Sequence, residues 1–234
     1  MQLFYNPNIN NNTKEILFNK EESRHIIKVL RKKIDDTLFI TDGKGHLYTS
    51  KISVPNEKKC IANVINIEKK EKEWNYRLHV AIAPTKNMDR LEWFIEKATE
   101  IGIDEITPIL CSNSERKVVK TERLFKIMLS ALKQSLKFNA VIINEPITFS
   151  QFITKNREGD TFIAHCYDTD KKNFSGISFS DEVTVLIGPE GDFTEKEVKM
   201  AVQNDCIPIT LGKSRLRTET AGLTAVQFLN FSNQ

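Results

Sequence analysis

A loop of unusual composition follows the apolar segment 183–187, which we expect to be a buried strand. Residues 188–193 have the sequence Gly-Pro-Glu-Gly-Asp-Phe. Two glycines around a proline let the backbone approach a ligand closely while it keeps a fixed shape. The alternative is an ordinary strand–turn–helix connection, in which an isolated Gly-Pro-Glu-Gly occurs more often than in a ligand-binding loop.

A second loop, between Leu211 and Gly222, concentrates groups that could do chemistry. It holds Arg215, Arg217, Glu219 and three hydroxyl side chains between a predicted strand and a predicted helix. Such groups can stabilise an anion or transfer a proton. The alternative is that Thr218 caps the following helix and the charges are solvated.

The elements around these loops indicate an α/β domain with a largely parallel, buried sheet, because apolar strand and helix patterns alternate after residue 75. We predict strands at 78–82, 106–110, 141–143, 162–164, 183–187 and 207–211. We predict helices that end at Gly102, cover 124–135, follow a capping box at Thr194–Glu197 and cover about 221–231. Both loops then lie at carboxyl ends of strands, where ligands of such sheets bind.

The first third of the chain is mostly short strands, which a small barrel would close. We predict strands at 38–40, 47–49, 51–54 and 60–65, with a hairpin turn at Asp42–Gly45. One helix is predicted over 22–31; its buried side holds Ile26, Ile27, Val29 and Leu30, and another side holds Arg24, Lys28 and Arg31. The charged run 68–73 is the candidate linker, which gives domains at 1–72 and 73–234.

Positive charge is concentrated at the start of the chain. Residues 1–75 carry 14 Lys and Arg against 10 Asp and Glu, whereas the remainder carries 20 against 21. This distribution is expected if the first part approaches a polyanion, although proteins that bind no nucleic acid can share it.

The four cysteines and four histidines are scattered, which argues against a disulfide framework and against a metal site. We therefore expect no bound metal. The chain has neither a membrane-length apolar run nor a secretory signal at its start, so we expect a cytoplasmic protein that does not enter a membrane.

Taken together, the two loops make the chain resemble the SPOUT superfamily of RNA methyltransferases, and within it the ribosomal RNA small subunit methyltransferase E family. The resemblance rests on Leu-Ile-Gly-Pro-Glu-Gly at 186–191 and on Leu-Gly-x-x-x-Leu-Arg-Thr-Glu-Thr-Ala at 211–221. Segments 23–31, 92–102, 114–116 and 134–135 match further motifs in the same order.

This resemblance implies a PUA-like RNA-binding barrel at 1–72 and, at 73–234, a SPOUT methyltransferase domain with a C-terminal trefoil knot. It implies a homodimer that uses S-adenosylmethionine to methylate N3 of a uridine in 16S ribosomal RNA of the small ribosomal subunit. The residues implied to bind the cofactor are His165, Gly188, Pro189, Glu190, Gly191, Leu211, Gly212 and Leu216.

A mechanism can be attached to the charged residues of these loops. The weakly acidic N3 of uracil must lose a proton while negative charge develops on O2 or O4. We expect Arg217 to stabilise that charge and Glu219 or Glu190 to relay the proton. Stabilisation of the last helix through its dipole is an equally good interpretation of Glu219.

For RNA contact we expect Arg24, Lys28, Arg31, Arg116 and Lys117, through phosphate interactions that set position rather than sequence choice. A solvated basic helix face is the alternative. The chain departs from the family pattern at Lys133, at Lys137 and at Gln2–Phe4, which affects the expected RNA contacts rather than the cofactor pocket.

Three other functions fit parts of this pattern. A SPOUT enzyme acting on a ribose 2′-hydroxyl or on transfer RNA would differ in the second loop. A non-catalytic RNA-binding assembly factor would keep the barrel but lose the glycines of the pocket. A nucleotide-dependent oxidoreductase would need a Gly-x-Gly-x-x-Gly fingerprint, which the sequence lacks.

Overall fold

The computed structural model of the chain describes residues 1–232 and divides it into two compact units. The first contains Met1–Lys72 together with Leu132–Ala140, and the second contains Glu73–Ala131 together with the chain from Val141 onward. Among the described residues, none of the helices is both long and apolar enough to cross a membrane.

The first unit is built on a five-stranded sheet. Its strands are β1 (Leu3–Tyr5), β2 (Glu15–Leu17), β3 (Thr37–Thr41), β4 (His46–Val54) and β5 (Ile61–Lys69). Their order is β1-β3-β4-β5-β2; β1 and β3 are parallel and the other pairs are antiparallel. Two strands predicted separately form the single strand β4, and the expected linker begins inside β5. The three-residue strands β1 and β2 were not predicted.

Alternation along these strands creates the core of the first unit. Tyr48 and Ile52 in β4 and Leu38 and Ile40 in β3 are almost completely buried. Because successive side chains of a strand point to opposite faces, every second residue enters the core. The predicted turn at Asp42–Gly45 joins β3 and β4, and Gly43 and Gly45 have φ values of 73° and 90° there, which glycine adopts without steric cost.

The helix expected at 22–31 is shorter and partly π-helical. An α-helix, α1, covers Lys20–Arg24, and a π-helical turn covers His25–Val29. The prediction that Val29 is buried is wrong, since 65% of it is exposed. A π-turn, in which Leu30 N donates to His25 O, places side chains at angles different from those of an α-helix. Arg31 lies beyond the helical residues with a φ of 54°, so it does not continue the predicted basic face.

The second unit contains an eight-stranded sheet in which all paired strands are parallel. Its strands are β6 (Arg77–Ile82), β7 (Glu105–Leu110), β8 (Ile142–Ile143), β9 (Ile147–Thr148), β10 (Asp160–Ala164), β11 (Lys172–Asn173), β12 (Glu182–Ile187) and β13 (Ile207–Thr210). The order is β11-β13-β10-β12-β6-β7-β8, and β9 pairs with β7. The predicted parallel α/β sheet is therefore confirmed.

Five helices complete the succession of elements: α2 (Met88–Ile101), α3 (Thr121–Ser135), α4 (Phe149–Ile153), α5 (Glu195–Gln203) and α6 (Thr218–Ser232). The capping box of Thr194 and Glu197 begins α5 as predicted, and α2 ends at Gly102, whose φ is 129°. Lys133, near the end of α3, lies 3.3 Å from Glu22 of α1 within the first unit.

The register of the central strands determines where the loops emerge. Ala164, the last residue of β10, is aligned with Ile187 of β12 and with Ile209 of β13. Three neighbouring parallel strands therefore end at the same level, and His165, the 188–193 loop and the 211–217 loop leave the sheet side by side.

Candidate functional site

A cleft with two lobes lies at the carboxyl ends of β10, β12 and β13. The larger lobe has a volume of about 610 Å³ and the smaller about 290 Å³. Both lobes are lined by Ala164, Cys166, Asp192, Arg215, Leu216 and Ala221, so they form one continuous space.

His165 lines the larger lobe and is only 6% exposed. Neither of its ring nitrogens, Nδ1 and Nε2, has a hydrogen-bond partner. Burial, followed by the charge of Lys171, lowers the pKa of the imidazole, which keeps the ring neutral near pH 7. A neutral imidazole presents one donor and one acceptor. Buried polar atoms are normally paired, so two unpaired nitrogens are an unusual feature beside the lobe, and each exposes less than 1 Å² of surface.

The chain after His165 is held in place by Lys171 and Tyr167. Lys171 Nζ donates to the carbonyl oxygens of His165 (3.2 Å) and Tyr167 (2.5 Å). The Tyr167 hydroxyl donates to Phe193 O at 2.8 Å, which ties this segment to the neighbouring loop. Both side chains line or border the larger lobe, and neither was predicted as a site residue.

The loop at 188–193 forms a wall of the smaller lobe. Gly188, Pro189 and Glu190 line that lobe, and Gly191 lines the larger one. A Cβ atom on Gly188 would lie 3.1 Å from Phe193, so this position favours glycine for packing rather than for its φ angle.

Thr218 and Asp192 fix this loop from both sides. Thr218 is the first residue of α6 rather than its cap, and its buried hydroxyl donates to Gly188 O at 3.0 Å. Asp192 has a φ of 61°, and its carboxylate accepts from Cys166 N (2.7 Å) and Phe193 N (2.8 Å). The role of Asp192 could not be predicted, because it depends on a positive φ at a residue other than glycine.

The loop at 211–217 closes the other side of the cleft. Leu211 and Gly212 line the larger lobe, Leu216 lines both, and Arg217 lines the smaller one. Gly212 has a φ of 135°, and apart from Gly212 and its two chain neighbours no residue has an atom within 4 Å of the position that a Cβ would occupy. All eight residues expected to bind a cofactor therefore line this one cleft, together with Lys213, Ser214 and Arg215, which were not included in that prediction.

The two glutamates considered for proton transfer have different surroundings. Glu190 is exposed at the smaller lobe, and its Oε1 accepts from Lys86 N at 2.9 Å. Glu219 is 7% exposed in the first turn of α6 and lines neither lobe. Its Oε1 lies 3.9 Å from Arg90 Nε, and its Oε2 has no hydrogen-bond partner.

The five residues expected to contact RNA are all exposed: Arg24, Lys28, Arg31, Arg116 and Lys117. Lys28 pairs with Glu57 at 2.7 Å, a surface contact of little energetic weight. The guanidinium of Arg116 donates twice to Lys86 O, from Nε at 3.2 Å and from Nη2 at 3.1 Å.

A second cavity of about 1060 Å³ lies at the amino ends of β6, β7 and β12. His79 lines it, and its Nε2 is 2.7 Å from Thr107 Oγ1. Asn144 Nδ2 donates to Thr107 Oγ1 (2.8 Å) and to Glu105 Oε1 (2.7 Å), and Glu105 Oε2 accepts from Arg77 at 2.7 Å. His79 Nε2 and its neighbours Thr107, Asn144 and Glu105 therefore pair with one another, whereas Arg157 Nε, also at this cavity, is buried without a partner.

Comparison with protein-family models gives two matches. Residues 72–230 match a model described as an RNA methyltransferase domain, and residues 18–65 match one described as an RNA methyltransferase PUA domain.

Curated relatives share most of the chain. Ribosomal RNA small subunit methyltransferase E of Mesomycoplasma hyopneumoniae is 30% identical over 202 residues, which is 84% of this chain and 86% of the relative. The protein of the same name from Rickettsia conorii is 28% identical and covers 96% and 93% of the two chains.

Solved structures share the fold. A probable rRNA-methyltransferase from Porphyromonas gingivalis has 38% identity and a TM-score of 0.91, and the match covers 100% of this chain and 98% of that one. Ribosomal RNA small subunit methyltransferase E from Neisseria gonorrhoeae, bound to S-adenosyl methionine, has 25% identity and a TM-score of 0.86, with 99% and 98% covered.

Proposed function

The chain belongs to the ribosomal RNA small subunit methyltransferase E family, and we propose that it methylates small-subunit ribosomal RNA with S-adenosylmethionine. The proposed position of the methyl group is N3 of a uridine in 16S ribosomal RNA. The observation that carries the proposal is the cleft itself, in which the glycine-containing loops at 188–193 and 211–217 meet beside His165, whose buried ring nitrogens have no partner within the protein.

The residues of the cleft fit this cofactor. Its adenosine and amino-acid parts carry donors and acceptors that can satisfy the His165 ring and the backbone groups of Gly188, Leu211, Gly212 and Leu216. The open space beside Gly212 admits a ligand close to the backbone. When bound, the cofactor supplies an electrophilic methyl group on sulfur, and that chemistry requires no metal.

In the proposed mechanism, the chain provides alignment and charge around the uracil ring. Arg217, at the smaller lobe, stabilises the negative charge that develops on O2 or O4 as N3 loses its proton. Glu190 lines the same lobe, so it is the glutamate better placed to accept that proton. Glu219, buried outside the lobes, remains a candidate for orienting Arg90 or the start of α6.

Several finer features complete the proposal. We infer a PUA-like barrel from residues 1–72 and a SPOUT domain with a C-terminal trefoil knot from the rest, assembled as a homodimer in the cytoplasm. The exposed Arg24, Lys28, Arg31 and Lys117 are proposed to contact RNA phosphates, which predicts salt-sensitive binding.

Replacement of Arg217 tests the catalytic part of the proposal. We expect Arg217→Ala to lower the single-turnover rate of methyl transfer by about 100-fold or more, because one charge-stabilising donor is lost. Affinity for S-adenosylhomocysteine should stay within about twofold of the unchanged protein, since the effect belongs to the transition state. Arg217→Lys keeps the charge and serves as the matched control. Full turnover by Arg217→Ala would contradict the assignment.

The methylated position can be mapped in ribosomal RNA from cells that lack the protein. A methyl group on uridine N3 blocks the Watson–Crick edge, so reverse transcription stops there. We expect one stop in small-subunit RNA to disappear with the protein and to return with the intact chain. Loss of a 2′-O-methyl group or of a transfer RNA methylation would indicate a different SPOUT activity, and no loss of methylation would indicate a non-catalytic assembly factor.

A further inference from the structure

The segment that follows β7 contacts the 188–193 loop in two places. The first contact is made by Asn113, whose side-chain amide donates to the carbonyl oxygens of Gly191 and Asp192, both at 3.0 Å. A Cβ atom on Gly191 would lie 3.2 Å from the Cβ of Asn113, so glycine at this position permits the close approach. Asn113 therefore holds the turn that carries Asp192 into both lobes of the cleft.

The second contact is indirect and connects Arg116 to Glu190 through the backbone of Lys86. Arg116 donates to Lys86 O from both Nε and Nη2, at 3.2 and 3.1 Å. The N–H of the same residue donates to Glu190 Oε1 at 2.9 Å. Both backbone polar groups of Lys86 are thus engaged, one by the arginine and the other by the glutamate. Arg116 and Glu190 are linked through a single residue, although 74 positions separate them in the sequence.

This link has a consequence for Glu190. An exposed glutamate samples several rotamers, and fixing it costs conformational entropy when the substrate arrives. A backbone N–H that already binds Oε1 selects one orientation in advance, provided that the Lys86 backbone is itself held. The planar guanidinium supplies two donors in a fixed geometry and so restrains that backbone better than a flexible ammonium group does. The surface pair of Lys86 Nζ with Glu115 (2.8 Å) adds little by comparison.

We propose that Arg116 is a positioning residue, which orients the Glu190 carboxylate at the smaller lobe by holding Lys86, while Asn113 orients the adjoining turn. The role of Arg116 in the reaction rests on the proposed methyl transfer. The structural link from Arg116 through Lys86 to Glu190 does not depend on that activity. It replaces phosphate contact as the role of Arg116; Lys117, its exposed neighbour, keeps that role.

Two substitutions separate the positioning role from an electrostatic one. Gln Nε2 is the same number of bonds from Cα as Arg Nε, so Arg116→Gln retains one neutral donor for Lys86 O and loses the charge. Arg116→Lys retains the charge but lacks a donor at that position. Arg116→Ala removes both, and Lys117→Gln is the matched control for loss of one neighbouring charge.

The experiment measures methyl transfer and RNA binding by these four variants, with thermal melting to confirm that each is folded. We expect kcat to fall about tenfold in Arg116→Ala and Arg116→Lys and to recover to within about threefold in Arg116→Gln. The KM for RNA and the slope of RNA affinity against salt should stay unchanged for all three. Lys117→Gln should instead make that slope shallower by about 0.7 to 0.9.

Hydrogen exchange of the Lys86 amide provides a readout that does not depend on activity. We expect exchange to be faster in Arg116→Ala and Glu190→Ala than in the unchanged protein or in Arg116→Gln. If the intact protein methylates no RNA but exchange behaves in this way, the proposed function fails and the link stands. Two results would overturn the proposal. The first is full activity in Arg116→Lys together with lost activity and a shallower salt dependence of RNA affinity in Arg116→Gln, which would show that Arg116 contacts a phosphate. The second is unchanged exchange of the Lys86 amide in all variants, which would show that Arg116 and Glu190 are not linked.

Discussion

The eight-stranded sheet has a cavity at each end, and a histidine lines each cavity. At the amino ends of the strands, the cavity of about 1060 Å³ contains His79 in a network with Thr107, Asn144 and Glu105. At the carboxyl ends, lobes of about 610 and 290 Å³ contain His165, whose ring nitrogens have no partner. The larger space is therefore the one whose histidine already has a hydrogen-bond partner, although Arg157 Nε, which is buried at the same cavity, has none.

From this difference we infer that hydrogen-bond satisfaction, rather than volume, separates the proposed ligand site from the other cavity. A network that is internally complete stabilises the fold and has no group left for a ligand. A buried imidazole with two free nitrogens is unfavourable in the empty protein and favourable once a ligand pairs with it. The parallel sheet reinforces the distinction, since ligands of such sheets bind at the carboxyl ends of strands.

The largest effect that the comparison predicts comes from filling each cavity. Gly212→Trp puts an indole into the open space of the larger lobe, so we expect affinity for S-adenosylhomocysteine to fall by at least roughly 100-fold in calorimetric titration. Lys155→Trp, which puts the same side chain at the amino-end cavity, should leave that affinity within about twofold. An equal loss of affinity in Gly212→Trp and Lys155→Trp would contradict the assignment of the ligand to the carboxyl-end cleft.

Exchanging each histidine for phenylalanine should produce opposite results. His165→Phe removes both ring nitrogens but no side-chain hydrogen bond of the empty protein, and phenylalanine can keep the ring contact with Tyr167, so cofactor affinity should fall by about tenfold or more while stability is kept. His79→Phe leaves the Thr107 hydroxyl without one partner, so the free energy of unfolding should fall by about 1 to 3 kcal/mol while affinity is kept. Urea denaturation and calorimetry together measure both quantities, and the comparison fails if the two variants behave alike.

The smallest predicted effect is a dependence on pH. Burial, despite the opposing charge of Glu105, lowers the pKa of His79 to about 4, compared with 6.5 for an imidazole in water. The unfolded chain therefore takes up a proton on His79 before the folded protein does, so folded-state stability is complete above pH 6.5 and declines as the pH falls towards 4.

We expect this decline to be on the order of 2 kcal/mol and to be missing from the pH profile of His79→Phe. Burial also lowers the pKa of His165, so His165 contributes a separate part of the decline that persists in His79→Phe, and its protonation at acidic pH should also weaken cofactor affinity. A pH profile of stability that is the same with and without His79 would contradict this assignment.

The sequence predicted the features that depend on local pattern. Local chemistry predicts the capping box of Thr194 and Glu197 and the end of α2 at Gly102. Apolar periodicity predicts where the longer strands lie along the chain. The residues expected to bind the cofactor came from a resemblance to a family, and they line one cleft because β10, β12 and β13 end at the same level.

Features that depend on tertiary contacts could not be predicted. The exposure of Val29 results from a π-turn, which periodicity does not distinguish from an α-helix. Strands as short as β1 and β2 form because a distant strand pairs with them. Two contacts join segments that are far apart in the chain: Thr218 with Gly188, and Arg116 with Glu190 through Lys86. The lack of hydrogen-bond partners for the His165 ring likewise depends on which distant segments surround it.

The most direct test of the central claim is side-chain ¹H–¹⁵N NMR of the four histidines during titration with S-adenosylhomocysteine. We expect the Nδ1 and Nε2 signals of His165 to shift as the ring gains partners, whereas those of His79 stay in place because its Nε2 already pairs with Thr107. Saturation with ligand that shifts His79 and leaves His165 unchanged would contradict the account and move the ligand site to the amino-end cavity.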